Sequence, residues 1–499
     1  MKNSNQMKKQ LLAFALMATF LKLLFIPQFA SAQNTRIWAT YYGGTGDEYL
    51  GNDDQSSKSV ATDASGNVYL AANTSSAGLA SGGFQDTLLG GGGPILVKFD
   101  ASGNRLWATY YGDVNGAIVC KSVATDPAGN VYLAGLAVHT TALATAASFQ
   151  YISGDAANAF LVKFDANGNR LWATYYGGAY GTGANSVATD AAGNVYLAGE
   201  TGDTGMAYAG FQNTYGGRSL QNYAGDAFLV KFDANGHRLW ATYYGGKGGE
   251  AGNGVATDLA GNVYLTGFTN DEGLASPGSF QDTLGIDTSG GNWGDNAFLV
   301  KFDANGNRLW ATYYGIYPGY GGGGSSVGNS VATDAAGNVY IAGATHDTMG
   351  IASGGFQNTF GGGLDDGFLV KFDADGNRLW ATYYGGRGED QACNVATDAA
   401  GNVFIVGSTG SSDSIASGGF LNTCTTCGDT NNTRSLFLVK FDANGNRQCA
   451  TYYGTIVVKT YCASLALDNA GNVYTGSFTD LSSGIASGGF QNIYGGGSL

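Results

Sequence analysis

The sequence predicts an all-β fold, a seven-bladed β-propeller of four-stranded antiparallel blades, on three observations. Trp-Ala-Thr-Tyr-Tyr-Gly begins at Trp38, Trp107, Trp172, Trp240, Trp310 and Trp380, and a seventh copy has Cys449 in place of the tryptophan, giving a period of about 69 residues. Stretches ending in Asp-x-x-Gly-Asn-Val also occur seven times, finishing at Val68, Val131, Val195, Val263, Val339, Val403 and Val473. Of 499 residues 83 are Gly and 5 are Pro, with charged residues at 12 % and aromatics at 13 %. That balance excludes collagen and a charge-rich disordered chain, and suits many short strands joined by tight turns. A four-stranded unit cannot bury its two faces alone, so such units must stack, and seven set radially close into a ring.

The elements follow in order. Residues 1–32 read as a secretory signal peptide: Lys2, Lys8 and Lys9 precede an apolar run from Leu11 to Phe25, and Ala30-Ser31-Ala32 offers a cleavage position. Lys22 interrupts that run, and no later one is long enough to span a membrane. The propeller is expected over residues 33–499. In the second unit strand A is expected at 122–126, B at 131–135, C at 160–165 and D at 171–176, all rich in Val, Leu, Phe, Tyr and Thr and bounded by Gly, Asn or Asp. Asp126-Pro127-Ala128-Gly129-Asn130 and Asp165-Ala166-Asn167-Gly168-Asn169 join A to B and C to D as hairpins. Residues 36–42 form an orphan strand D, while 463–468 and 473–478 form an A and B pair. The last blade is therefore closed by the N-terminal strand, which hides sheet edges. Leu-Val-Lys-Phe-Asp, the strand C signature, occurs only six times, ending at Asp100, Asp165, Asp233, Asp303, Asp373 and Asp442. The last blade is thus expected to lack one strand, and the chain reads as a truncated reading frame in preference to an authentic incomplete blade.

Asp-x-x-Gly-Asn-Val-Tyr, Gly-Phe-Gln, Phe-Leu-Val-Lys-Phe-Asp and Trp-Ala-Thr-Tyr-Tyr-Gly-Gly together resemble the SBBP family, secreted bacterial proteins built from a seven-bladed β-propeller repeat. The resemblance covers residues 36–499. It implies a propeller and no particular activity.

Meander parity puts the short A-to-B and C-to-D turns on one side and the long B-to-C and D-to-A loops on the other, where loop-borne function belongs. Residues repeated in every unit are assigned to the scaffold. The turn aspartates Asp63, Asp126, Asp190, Asp258, Asp334, Asp398 and Asp468 cap their own turns, Phe-Gln pairs such as Phe84-Gln85 anchor loops, and lysines such as Lys98 snorkel between blades. A net charge of −14 argues against a nucleic-acid partner. Asp-Ala-Asn-Gly-Asn is close to a calcium loop in letters, but its Gly is fourth and no Glu follows at twelve, so no cofactor or metal is expected. His139, His237 and His346 lie in separate loops or turns, and Gly324-Ser325-Ser326-Val327-Gly328 precedes a strand where a nucleophile elbow needs a helix. Six cysteines in an exported chain permit disulfides. Cys424 and Cys427 suit a loop bridge, and Cys393 and Cys462, each opening an inner strand of adjacent blades, suit a bridge across the seam.

The remaining departures from the repeat are aromatic. Trp293, Tyr317 and Tyr320, on neighbouring loops of one face, are the candidate stacking platform for a carbohydrate or protein ligand. The expected function is an exported, monomeric, non-enzymatic binding or structural module, secreted, at the cell surface or in a periplasm. The alternatives are a hydrolase or lyase with an acidic site at the central channel, drawn from Asp47, Glu48, Glu250 and Asp390, or a fragment without independent function.

Overall fold

The computed structural model describes residues 36–50, 58–140, 143–153, 156–217, 225–285, 294–315, 325–424, 427, 434–456, 462–477, 479 and 484–496. The expected signal peptide lies outside them. The protein is an all-β propeller of four-stranded antiparallel blades. Blade 1 is Val60–Thr62, Val68–Thr74, Gly93–Phe99 and Arg105–Tyr110, with Glu48–Tyr49 pairing further along the second strand. Blades 2 to 6 begin with Ala117–Thr125, Thr182–Thr189, Glu250–Thr257, Ser326–Thr333 and Asp390–Thr397, and each ends three strands later with its own strand D.

Among the described residues six blades are four-stranded, and the seventh expected blade is not complete. The seventh sector holds a two-stranded sheet, Ser464–Leu467 with Val473–Gly476. Its N-terminal segment is no regular strand either. It keeps its place through isolated bridges on its outer side, Ala39 to Ser487 and Gly488 and Tyr41 to Gln491.

Each A-to-B turn shows why its sequence repeats. In the second, Asp126 Oδ1 accepts from the amides of Ala128 and Asn130 at 3.0 and 2.9 Å, and Oδ2 accepts from Asn130 Nδ2 and the Tyr132 hydroxyl. Gly129 closes the turn at φ +81°, a left-handed conformation that glycine adopts without steric cost. The capping role expected for these aspartates is the one observed. Lys163 also reaches Asp126, at 3.5 Å, with both side chains buried.

The blades are stapled by strands C and D. Trp107 Nε1 and Lys98 Nζ of blade 1 both donate to the carbonyl of Ala166, in the C-to-D turn of blade 2, at 3.0 Å. Gly168 of that turn lies on the indole, where a Cβ would come within 3.0 Å of the ring. The arrangement repeats at Trp172 on Ala234, Trp240 on Ala304, Trp310 on Ala374 and Trp380 on Ala443, and Trp38 makes it onto Ala101. Cys449 replaces the tryptophan of blade 6, and among the described residues its neighbour in the ring shows no C-to-D turn.

The outer edge of strand D is covered by its own B-to-C loop. Ala108 and Ser81 exchange backbone hydrogen bonds at 3.0 Å, and Tyr110 N donates to Gln85 O. The Phe-Gln anchor is therefore an edge cap, which shields a strand that would otherwise recruit another chain. The phenylalanine is then overlaid by an arginine of the following blade, as Arg170 lies 4.4 Å from the ring centroid of Phe84.

Candidate functional site

The inner strands make the axis of the molecule. Each carries a bulge at one level, between Cys120 and Ser122, Ala184 and Ser186, Gly252 and Gly254, Gly328 and Ser330, and Ala392 and Asn394 in blades 2 to 6. The extra residue drops out of the ladder. These residues hand hydrogen bonds from blade to blade: Lys121 Nζ to Asn185 Oδ1 at 2.9 Å, Asn185 Nδ2 to Gly252 O, Asn253 Nδ2 to Gly328 O, and Asn329 Nδ2 to Ala392 O. The fifth bulge residue is Cys393, and its disulfide to Cys462 carries the chain on into the seventh sector.

A second ring runs below. Thr125, Thr189, Thr257, Thr333 and Thr397 each donate a hydroxyl to the carbonyl of the preceding blade's threonine, and Thr62 donates to Leu467 O at 2.7 Å. The inner strands of six blades and the seventh sector therefore close around one axis. The small cavity on it is lined by Lys58, Ser186, Asn253, Asn329, Ser330 and Asn394, among others. Burial pushes the Lys58 ammonium down from its ordinary value.

The carboxylates named as an acidic channel site are not brought together. Asp47 is exposed, and Glu48, Glu250 and Asp390 start inner strands of blades 1, 4 and 6. Each is clasped by a hydroxyl of its own blade, Glu48 by Thr74 at 2.8 Å, Glu250 by Thr269 at 2.9 Å and Asp390 by Ser411 at 2.7 Å. Thr182 and Ser326 fill the same position as hydroxyls, bonded to Thr201 and Thr345. The position is a clasp at the mouths of blades 1, 3, 4, 5 and 6, whereas blade 2 has Ile118 there. Burial, then the charges of Asp271 and Asp226, pushes Glu250 up to about 8, and burial raises Asp226 and Asp390 to about 6 and Asp366 to about 7. Asp226, Asp366 and Asp390 each keep one buried carboxylate oxygen without a hydrogen bond. Among the described residues no group of three or more His, Cys, Asp or Glu is placed to hold a metal ion.

Other expectations are placed as follows. Trp293, Tyr317 and Tyr320 lie outside the described residues. His237 takes over the asparagine's role in its turn, with Nδ1 2.9 Å from Asp233 Oδ2, and His346 pairs with Asp365 at 2.7 Å. Ser326 is fully buried in strand A of blade 5, bonded to Asp347. Cys424 and Cys427 are bridged, as are Cys393 and Cys462. Cys120 and Cys449 stand outside both disulfides, and burial pushes the Cys120 thiol up to about 12. A non-reducing tryptic map is expected to show these two linkages, with Cys120 resisting alkylation until unfolding. Replacing Cys393 and Cys462 together by serine is expected to lower stability to urea by about 2–4 kcal/mol.

The bulge ring and the clasp were missed in sequence. Their signal is the stretch before each Val-Ala-Thr, where Lys121-Ser122, Asn185-Ser186, Asn253-Gly254 and Asn329-Ser330 align across units.

Comparison with known proteins agrees with the repeat. Residues 106–137, 239–274 and 379–413 match the SBBP beta-propeller repeat. The chain carries SBBP repeats. Each match begins in strand D of one blade and runs through strands A and B of the next, so the SBBP unit spans a seam. The chain is 25 % identical over 368 residues to an uncharacterized WD repeat-containing protein of Acanthamoeba polyphaga mimivirus, covering 63 % of this chain and 26 % of that one. It is 25 % identical over 371 residues to the regulatory protein FlaEY of Caulobacter vibrioides, covering 71 % and 36 %. It thus spans about a quarter to a third of the length of these relatives. Among solved structures it is similar to a polysaccharide lyase of family PL25, an ulvan lyase, at TM-score 0.44 and 10 % identity over 92 % of this chain and 96 % of that one. It is also similar to a calcium-binding regucalcin of Agrobacterium tumefaciens, at TM-score 0.31 and 14 % identity over 74 % and 87 %. Likeness at these scores bears on neither activity nor ligand.

Proposed function

We propose that the chain is an exported, non-enzymatic binding or structural module that offers its long-loop face to a carbohydrate or protein ligand. The observation that carries this reading is how the reactive side chains are employed. The repeated aspartates cap turns, the lysines and tryptophans staple blades, and the buried acids Glu250 and Asp390 clasp their own loops. A scaffold that commits its acids and bases to its own seams leaves recognition to the loops that vary between units. Two disulfides favour an oxidising compartment outside the cytosol.

The test is screening on glycan and peptide arrays beside turnover assays on polysaccharides and esters. Array binding that is lost in the Trp293→Ala, Tyr317→Ala and Tyr320→Ala variant, with no turnover, is the expected result. Turnover that disappears in Glu250→Gln or Asp390→Asn would establish the hydrolase or lyase reading instead.

A further inference from the structure

The loop mouths between neighbouring blades share one plan, and the mouth between blades 3 and 4 departs from it. Where blade 2 meets blade 3, strand C opens with Asn158 and the next strand A with Thr182. Asn158 Oδ1 accepts from Gln150 Nε2, and its Nδ2 donates to Ala156 O at 2.8 Å and Gly178 O at 3.3 Å. The Thr182 hydroxyl donates to Asp203 Oδ2 at 2.8 Å. Asn296, Ser326 and Asp347 repeat the plan between blades 4 and 5, with the Asn296 amide donating to Gly285 O and the Ser326 hydroxyl to Asp347. At these three positions each of the two mouths has one carboxylate, and its neighbours are donors.

Between blades 3 and 4 both donors become acids. Asp226 stands at the asparagine position and Glu250 at the hydroxyl position, with Asp271 in place of Asp203. Asp226 Oδ2 takes over from the asparagine oxygen, accepting from Gln212 Nε2 at 3.2 Å and Gly216 N at 2.8 Å. Asp226 Oδ1 therefore occupies the place of the donating Nδ2. It has no hydrogen bond, in a residue that is 0 % exposed. Gly246 O, the counterpart of Gly178 O, loses the N–H that Asn158 supplies there. Glu250 is as deeply buried and crowds the same spot: a Cβ at Gly245 would come within 2.5 Å of Glu250 Oε2 and 2.9 Å of Asp226 Cγ. Among the described residues no lysine or arginine is ion-paired with Asp226, Glu250 or Asp271. The equivalent acids between blades 5 and 6, Asp366 and Asp390, do have Arg434 at hand.

Acceptors set against acceptors in a desolvated place need a positive centre between them. Oxygen ligands of mixed kind suit a large hard cation, since calcium takes carboxylates, backbone carbonyls and water in a flexible shell, whereas magnesium demands a regular octahedron. We propose that the seam between blades 3 and 4 binds one divalent cation of the calcium class through Asp226 Oδ1, the Glu250 carboxylate and Gly246 O. Asp271, held by the Gly248 amide at 2.6 Å, adds charge from the neighbouring loop. Bound there, the cation ties the B-to-C loop of blade 3, at 212–216, to the D-to-A loop at 245–250, two segments of the long-loop face. The site stands whether or not that face takes the ligand proposed above. Burial and like charge raise Asp226 and Glu250 in the cation-free chain, where a proton competes for the same oxygens.

The test is calcium titration of the full chain, first stripped with a chelator, by calorimetry and thermal unfolding at neutral pH. One site per chain and a raised Tm are expected, with a Kd in the range of extracellular calcium modules, about 10⁻⁴ to 10⁻³ M. Asp226→Asn restores the amide that Asn158 supplies one seam away, so the fold is kept. This variant and Glu250→Gln are each expected to weaken calcium binding about tenfold or more, because ligand charge sets affinity. Asp366→Asn, at the seam that has Arg434, is expected to keep the affinity of the parent chain. No calcium response at about 10 mM, or the same affinity in Asp226→Asn, overturns the proposal. A parent chain indifferent to calcium whose Asp226→Asn variant gains Tm overturns it in favour of a proton shared by the two acids.

Discussion

Trp240→Ala is expected to lower the unfolding free energy by about 3–5 kcal/mol, the range for truncating a large buried aromatic side chain. Trp240 is 4 % exposed and belongs to the core between blades 3 and 4, with its indole N–H 3.0 Å from Ala304 O. Removing it opens a cavity under the C-to-D turn and leaves Lys231 as the partner of that carbonyl, at 3.2 Å. Trp240→Phe should cost less, because it keeps most of the apolar contact and loses the hydrogen bond, worth about 1 kcal/mol. Cys449→Trp is the internal control. Among the described residues no C-to-D turn faces that position, so the added ring is expected to give no gain in stability. Urea unfolding of the three variants checks the set, and a Trp240→Ala loss below about 1 kcal/mol would show that the staple is incidental.

The same tryptophan shows how far the sequence could be read. The Trp-Ala-Thr-Tyr-Tyr-Gly repeat announces strand D and its period, because alternation and turn residues are local properties. That the indole belongs to the seam is a property of two blades, and no single unit contains it. Cys449 could be seen as a departure, but its meaning depends on what the neighbouring sector places opposite it. The bulge residues escaped for a related reason. Asn185 and Lys121 look like the polar start of a strand, and only ring closure turns them toward a common axis. The seam disulfide was legible because it needs only the adjacency of two inner strands, which blade order supplies. The blade count was overread. Seven copies of A, B and D motifs are present, but a sheet of four also requires the C strand, and the six copies of Leu-Val-Lys-Phe-Asp give six sheets.

The scaffold also explains how a chain with so few charges tolerates buried ones. Lys163 and Asp126 meet inside the seam with their hydrogen bonds satisfied by turn amides, an asparagine and a neighbouring carbonyl, which is the condition under which a buried pair is tolerable. The carboxylates at the loop mouths have no such lysine, and of Asp226, Glu250, Asp366 and Asp390 it is Asp390 that feels a cation, Arg434. Asp226 and Glu250 lie together around Gly245, and Asp366 and Asp390 around Gly385, so each pair brings like charges close in a desolvated place. The two sets of acids must therefore respond to pH in opposite directions.

Stability is accordingly expected to peak in mildly acidic solution and to decline on both sides. For Glu250, Asp226, Asp366 and Asp390 the folded values, about 8, 6, 7 and 6, lie above the unfolded ones near 4. A group raised on folding contributes stability that is present below its unfolded value and is lost as pH rises through the folded value. For Asp63, Asp334 and Asp468, burial acts upward, but hydrogen bonds from the turn amides and asparagine outweigh it and the net shift is downward. Their contribution is present above about pH 4 and is lost as pH falls through the folded values. The decline is steepest near pH 5 to 6, between the unfolded and folded values of all four groups, and Glu250, with the highest folded value, carries it on to about pH 8 and alone accounts for up to about 4 kcal/mol on the linkage relation. Glu250→Gln should flatten the alkaline limb while leaving the acid limb unchanged. Thermal unfolding from pH 3 to pH 9 measures both. A variant whose alkaline limb keeps the original slope would mean that Glu250 is not the group that charges.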